Sequence, residues 1–264
     1  SKGASPMLDP ETDPRPDTGS DVPESHPRYL SLKLRDAIVA GVDAGMTSVH
    51  GLIAHGRGEA FDYLLGEVTG PWATTAIEAS AARLLTARHA VLSVNGNAAA
   101  LVGAELVALS RVSGAPLEVN VFHTSADRER AIADGLRRHG AEEVLLPDAD
   151  TVLPGLDSNR RFVHPRGILE ADVIFVPLED GDRCQALRQL GREVITVDLN
   201  PLSRTARTAS MTIVDNVARA LPLLVECVEA LAGRSQSDLQ EIWTSYDHAA
   251  ILAQAEARIR NGAD

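Results

Sequence analysis

The spacing of apolar residues changes about a third of the way along this 264-residue chain. From Arg28 to about Gly45, Leu34, Ile38 and Val42 recur every four residues, the spacing of an amphipathic helix. The peptide Gly51-Leu-Ile-Ala-His-Gly-Arg-Gly58 then reads as a loop. A second helical stretch covers about Glu59 to Gly66. A third runs from about Trp72 to Ala87, with Ile77, Ala81 and Leu84 on one face. Residues 25–88 are therefore expected to form a helical region.

Beyond it the pattern shortens into apolar, β-branched runs. These are Ala90–Val94, Leu117–Phe122, Glu143–Leu146, Ala171–Val176, Glu193–Val197 and Met211–Val214. Helical segments separate several of them: one after Asn97, a charged one from about Ala126 to His139, and a last one from about Val217 to Ala232. Alternating strands and helices predict a parallel sheet, and continuous β-branched runs fit strands covered on both faces. Right-handed crossovers then give an α/β, Rossmann-like open sheet over residues 89–233. Residues 234–264 read as an appended C-terminal helix, with Ser237 and Gln240 as a capping box. Ile242, Tyr246, Ala249 and Ala253 are its expected buried stripe.

Composition changes the picture at the N-terminus. Residues 1–24, SKGASPMLDPETDPRPDTGSDVPE, are acidic, rich in Pro, and nearly free of large apolar side chains. Such a segment buries too little to offset the entropy of ordering, so a disordered tail is expected, with Met7 a candidate native start. No apolar run reaches the roughly 20 residues of a membrane helix. The formal net charge of −12 argues against a nucleic-acid partner. Lysine occurs only at Lys2 and Lys33, and this acidic, Lys-poor balance resembles adaptation to concentrated salt. Cys184 and Cys227 are the two cysteines, which fits free thiols in a reducing cytoplasm better than a disulfide framework. The eight histidines have no zinc-type spacing.

Open parallel sheets bind ligands beyond the carboxyl ends of their strands. That rule selects Asn95-Gly-Asn97, Glu179-Asp-Gly-Asp-Arg183, Asp198-Leu-Asn-Pro-Leu-Ser-Arg-Thr205 and Asp215-Asn216. Asp198 and Asn200 can hold a ribose or an adenine edge, or merely cap the following turn. Arg204 offers planar donors for phosphate. Glu179, Asp180 and Asp182 can receive Mg²⁺ or an ammonium group, or simply favour a helix N-terminus. His55-Gly-Arg-Gly-Glu59 sets Arg57 between glycines, where a following helix would start and favour anions, although a solvated Arg in a turn is the alternative. Neither the glycine fingerprint of dinucleotide sites nor a P-loop is present.

Several blocks together resemble the archaeal phosphopantothenate synthetases, or 4-phosphopantoate–β-alanine ligases. They are Ser25-His-Pro-Arg-Tyr29, Gly51 to Tyr63, Ser93 to Asn97, Val176 to Arg183, Val197 to Thr205 and Thr212 to Asn216, collinear from Ser25 to about Ala232. The resemblance implies an ATP-dependent, Mg²⁺-requiring homodimer that makes 4'-phosphopantothenate, AMP and pyrophosphate from 4-phosphopantoate and β-alanine in coenzyme A biosynthesis. It places nucleotide contacts on Arg35, Arg57, Asp198, Leu199, Asn200, Arg204, Thr205, Asn216 and Val217. Arg57 is the expected catalytic cation. Asp180, Asp182 and His55 are the candidate bases for the β-alanine ammonium. The alternatives are another nucleotide-dependent enzyme, or a catalytically silent nucleotide-binding regulator, on the same sheet.

Overall fold

A computed structural model describes residues 22–123 and 125–262. The tail expected over residues 1–24 falls, up to residue 21, outside the described residues. Six strands form one sheet: β1 (Ala90–Val94), β2 (Leu117–Val119), β3 (Val144–Leu145), β4 (Val173–Phe175), β5 (Glu193–Val197) and β6 (Met211–Ile213). All their pairings are parallel and the order is β3-β2-β1-β4-β5-β6. The order reverses direction between β1 and β4, the switch point of a Rossmann-like sheet. The expected α/β class and strand positions are found, with shorter strands. β2 stops at Val119 because its partner β1 stops opposite it, at Val94.

Alternate residues of the strands feed two apolar layers. Leu92, Val94, Phe175, Ile195 and Val197 face one core. This layer is covered by α3 (Pro71–Thr86), α4 (Gly96–Ser113), α5 (Ala126–Arg138) and α8 (Val217–Leu231). Val91, Ile174 and Val194 face the other, with Leu187 of α6 (Gly181–Gln189) and Leu153, Val163 and Ile168 of the 147–171 segment. Burial on both faces explains why the strands read as continuous apolar runs.

Among the described residues, one carboxylate is buried within a strand of this interior. Glu118 in β2 is fully buried, and its carboxylate accepts bonds from His164 N at 2.8 Å and Ile168 N at 2.6 Å. A Cβ on Gly167 would lie 1.9 Å from Glu118 Oε2, so only glycine lets this segment wrap the carboxylate. Burial pushes the Glu118 carboxyl up to about 7, against the two backbone donors.

The N-terminal region corrects one expectation. Residues 51–58 are not a loop: α2 runs unbroken over Val49–Leu65, after α1 at Tyr29–Asp43. Arg57 therefore lies in a helix interior, and the anion-favouring helix start expected there does not exist. Helix-interior glycines each cost about 1 kcal/mol, but tertiary contacts override that preference here. Gly51 fits where a Cβ would sit 2.4 Å from Asn97 Oδ1 and 2.5 Å from Thr47 Oγ1. At the other end, Asp62 of α2 accepts bonds from Asn216 Nδ2 at 2.8 Å and from Arg219.

The C-terminal region also differs. It comprises two helices, α9 (Gln236–Thr244) and α10 (His248–Asn261). Ser235 caps α9 by accepting from Asp238 N, while Ser237 bonds Ser235 instead. Asp247 caps α10. The break resets the helical phase, so Leu239, Ile251 and Ala255 are buried while Ala249 and Ala253 are exposed. Tyr246 accepts a bond from Thr212 N of β6, which ties this region to its own sheet.

Candidate active site

The carboxyl ends of the strands open into one cavity of about 850 Å³, lined from both sides of the switch point. That volume suits a nucleotide-sized ligand. Asn95, at the end of β1, joins the two halves. Its Oδ1 accepts from Ala98 N and caps α4, while its Nδ2 donates to the carbonyls of Pro177 at 3.0 Å and Leu178 at 3.2 Å after β4. Leu178 is held in the left-handed region at φ 59°, a conformation that costs a non-glycine residue about 1–3 kcal/mol. Gly96 opens α4 where a Cβ would stand 2.2 Å from the Met46 carbonyl, so the end of α1 closes directly onto the switch point.

Behind this rim lies a buried ionic layer. Glu179 accepts from Arg160 and Arg183, both nearly or wholly buried. Arg160 also bonds Asp180 and, through Nε, Asn120 Oδ1 at 2.8 Å; Arg183 reaches Ser93 at 3.0 Å. The ends of β1, β2 and β4 are thereby cross-linked by charge-assisted bonds. Asp180 caps α6 by accepting from Arg183 N. Burial would raise its pKa, but Arg160 and that backbone donor hold it below the usual carboxylate range. The expected acidic cluster is therefore neutralised by arginines. Among the described residues, no group of three or more His, Cys, Asp or Glu is placed to hold a metal ion.

On the β5–β6 side the polar side chains are committed to turns. Asp198 accepts from Asn200 N at 2.9 Å and from the Ser203 hydroxyl, and Asn200 accepts from Leu202 N at 2.9 Å. Burial raises the Asp198 carboxyl. Thr205 donates to the Glu179 carbonyl at 3.0 Å. Asn216 caps α8 through Ala218 N. Arg219 links Asp62 to Asp215, which also accepts from Thr69 at 2.6 Å. All of Asp198, Leu199, Asn200, Arg204, Thr205, Asn216 and Val217 line the cavity, with His55 and Arg57 opposite.

Arg57 is exposed and makes no hydrogen bond or ion pair with any described residue. Gly58 beside it lets α2 approach Leu199, 3.6 Å from where a Cβ would stand. Burial lowers the His55 imidazole despite nearby Glu59, which favours the neutral, proton-accepting ring. Two expected residues are not brought to the cavity. Arg35 is outside the lining and forms a bidentate pair with the lining residue Glu59 at 2.6 and 2.9 Å. Asp182 is exposed and outside the lining, and pairs with the lining residue Arg204. Free access to a substrate ammonium is thus better at His55.

Sequence reasoning selected Arg183 only as the end of the Glu179–Arg183 peptide and missed buried Arg160, and also His50, His123 and Arg128 along the β2 side of the cavity. His123 was within reach, because the strand-end rule applies to Val121-Phe-His123 as well as to the four peptides chosen. Arg160 stands in an irregular segment and has no periodic signal.

The family described as phosphopantothenate/pantothenate synthetase matches residues 72–262. A 4-phosphopantoate–β-alanine ligase of Thermococcus kodakarensis is 48% identical over 91% of this chain and 92% of its own length. The ligase of Methanosarcina mazei is 46% identical over 91% and 95%, and that of Methanospirillum hungatei 50% identical over 76% and 82%. The chain belongs to the phosphopantothenate/pantothenate synthetase family.

Proposed function

We propose that this chain condenses 4-phosphopantoate with β-alanine, converting ATP to AMP and pyrophosphate. The observation that carries the reading is a cavity across the switch point, with a cation-bearing helix and a rim of turn-locked polar residues in its lining. The nucleotide lies against Asp198, Asn200, Thr205, Asn216 and Val217. A carboxylate is a poor electrophile, so activation comes first. A carboxylate oxygen of 4-phosphopantoate attacks the α-phosphorus, the bond to the β-phosphate oxygen breaks, and pyrophosphate leaves. The amine of β-alanine then attacks the acyl carbon of the adenylate, AMP leaves, and the amine proton passes to His55.

Charge builds on phosphoryl oxygens in the first step. The unpaired Arg57 guanidinium is the group of this chain best able to meet it. The carboxylates do not form a metal cage, so Mg²⁺ arriving with ATP would be held chiefly by phosphate oxygens and water. That ion adds charge neutralisation and no step above depends on it. The reaction belongs in the cytoplasm, where ATP is made available.

The chain is further read as a homodimer. Leu30 and Val39 of α1 and Val49, Ile53 and Leu64 of α2 are exposed large apolar side chains on neighbouring helices, a concentration that monomers seldom leave in water. Sedimentation should give a dimer, and Ile53→Glu should weaken it.

The deciding experiment follows the nucleotide product with and without each acceptor. AMP and pyrophosphate, formed only when both 4-phosphopantoate and β-alanine are present, are expected. Stoichiometric ADP and phosphate would refute the reading and favour a different nucleotide-dependent enzyme.

A further inference from the structure

The nucleotide assigned above lies in the β5–β6 half of the cavity, and part of the wall there is one helical turn. Helix α7 (Arg204–Thr208) has five residues and carries Arg204 and Thr205 of the lining. So short a helix does not hold itself, because closing a first turn fixes several dihedrals for one hydrogen bond. Its position rests on contacts from outside. At its start, Ser203 accepts from Ala206 N at 2.9 Å and donates to Asp198. Its far end lacks such a cap. The last carbonyls of a helix have no partner within it. The N–H that would continue α7 onto the Ala206 carbonyl is that of Ser210, which bonds the Val194 carbonyl of β5 at 2.8 Å instead.

The Ala206 carbonyl is met from two other directions. Thr212 Oγ1 of β6 donates to it at 3.0 Å, and Nε2 of His248, the first residue of α10, lies 2.8 Å from it. His248 is oriented in turn by Tyr246, whose hydroxyl stands 3.0 Å from His248 Nδ1 and 3.2 Å from Thr212 N. The two ends of this chain of bonds set every proton in it. A carbonyl only accepts, so Nε2 carries the ring N–H. A backbone N–H only donates, so Tyr246 Oη accepts from Thr212 and gives its own proton to Nδ1. Burial lowers the pKa of His248, in keeping with the neutral ring this arrangement needs. Ile251 and Ala255 anchor α10 itself in the core.

Resting on the ligase reading, we propose that His248 and Tyr246 are positioning residues for the nucleotide. Both stand outside the cavity lining. They hold the end of α7 through the Ala206 carbonyl, and α7 sets where Arg204 and Thr205 stand in the wall. The C-terminal helices are then a brace of the ATP site as well as a cover for the core. A wall displaced in this way binds the nucleotide less well before and during reaction alike, so the effect falls on KM for ATP and not on kcat.

Calorimetric titration of the full chain with ATP, without either acceptor, tests this alongside steady-state rates. The natural protein is compared with His248→Ala, His248→Gln, Tyr246→Phe and Asp247→Ala. Asp247 caps α10 by accepting from Ala250 N at 3.0 Å and is no part of the chain of bonds to Ala206. Losing one hydrogen bond behind α7 should weaken ATP binding by about two- to tenfold in His248→Ala. KM for ATP should rise by the same factor, with kcat at saturating ATP within about twofold of the natural protein. His248→Gln sets an amide N–H where Nε2 stood and should recover most of the affinity. Tyr246→Phe keeps the ring and loses only the hydroxyl; it should also weaken ATP, and it decides the matter if His248→Ala does not fold. Asp247→Ala should lower the melting midpoint and leave ATP affinity unchanged. Unchanged ATP affinity in Tyr246→Phe and in folded His248→Ala would overturn the brace. So would a loss in Asp247→Ala equal to that in His248→Ala, since that marks general loosening of α10. ADP as the nucleotide product of the natural protein would instead sink the ligase reading, with the ATP affinities still deciding the brace.

Discussion

The two walls of the nucleotide half are built in opposite ways. The β5–β6 rim is set before any ligand arrives: Asp198, Asn200 and Asn216 each anchor a turn or a cap, with Asn216 buried and Asp198 half-buried. Helix α2 faces it with only Asp62 and Leu65 of its 17 residues buried. It carries glycines at 51, 56 and 58, and is tied down mainly near its ends, at Gly51 and at Asp62. A rigid rim suits recognition of a nucleotide that looks alike before and after reaction. On the proposed reading, a loosely packed helix with an unpaired guanidinium suits the charge that appears in between.

Kinetics separate the two walls most sharply. Arg57→Ala is expected to lower kcat by about 10²–10³, as for loss of a cation serving the transition state. Arg57→Lys should recover little, because a point charge replaces a planar fork. Asn200→Ala should chiefly raise KM for ATP and keep most of its kcat. Steady-state rates with ATP varied decide this. If Arg57→Ala changes only KM, both walls bind alike and the contrast falls.

Next in size is the anchor of α2. Asp62→Ala strips Asn216 and Arg219 of a shared buried carboxylate, leaving Arg219 only Asp215. A loss of about 3 kcal/mol in urea unfolding is expected. A loss below about 0.5 kcal/mol, the range of ordinary surface changes, would show that α2 is held by something else.

The glycines of α2 give smaller effects of opposite sign. Gly51→Ala should destabilise by about 1–3 kcal/mol through its contacts with Thr47 and Asn97. Gly56 has open space around it, so Gly56→Ala should stabilise by about 0.5–1 kcal/mol. Equal melting shifts for the two variants would contradict the idea that α2 is pinned at one point.

The smallest expected effect is general. With 37 acidic against 25 basic residues, the chain should melt a few degrees lower as KCl falls from molar to millimolar. A midpoint that holds or rises on dilution would remove the halophilic reading of the composition.

Sheet and rim were legible in the sequence because both follow from local pattern. Strands buried on two faces announce themselves as β-branched runs, and the strand-end rule then finds Asp198, Asn200 and Asn216 without further input. Helix α2 was not legible. Its glycines argue locally for a loop, and the contacts that override them come from Thr47, Asn97 and Asn216, which are distant in sequence or belong to other elements. The neutralised state of Glu179 was hidden for the same reason: Arg160 sits 19 positions away in a segment of irregular structure. Ser237 looked like a cap by composition, yet Ser235 had the required position one residue before the helix. The missed C-terminal break shows the same limit, since a two-helix and a one-helix reading share their apolar residues and differ only in phase.

Glu118 couples the fold to the proton. An ordinary buried, paired carboxylate makes folding release protons, and stability grows as pH rises. Here the sign is reversed. With its carboxyl pushed up to about 7 in the folded chain, Glu118 binds a proton that the unfolded chain, near 4.5, has already lost. Its contribution is present at pH below about 4.5 and is progressively lost as pH rises to about 7. Folding at mildly acidic pH then takes up a proton, and the heat of refolding at pH 6 should vary with the ionisation heat of the buffer. Glu118→Gln should change that variation by removing the Glu118 uptake, even though it leaves one of the His164 and Ile168 donors without its partner. Between about pH 4.5 and 7, separation of β2 from the 164–168 turn would therefore hand that proton back to solvent.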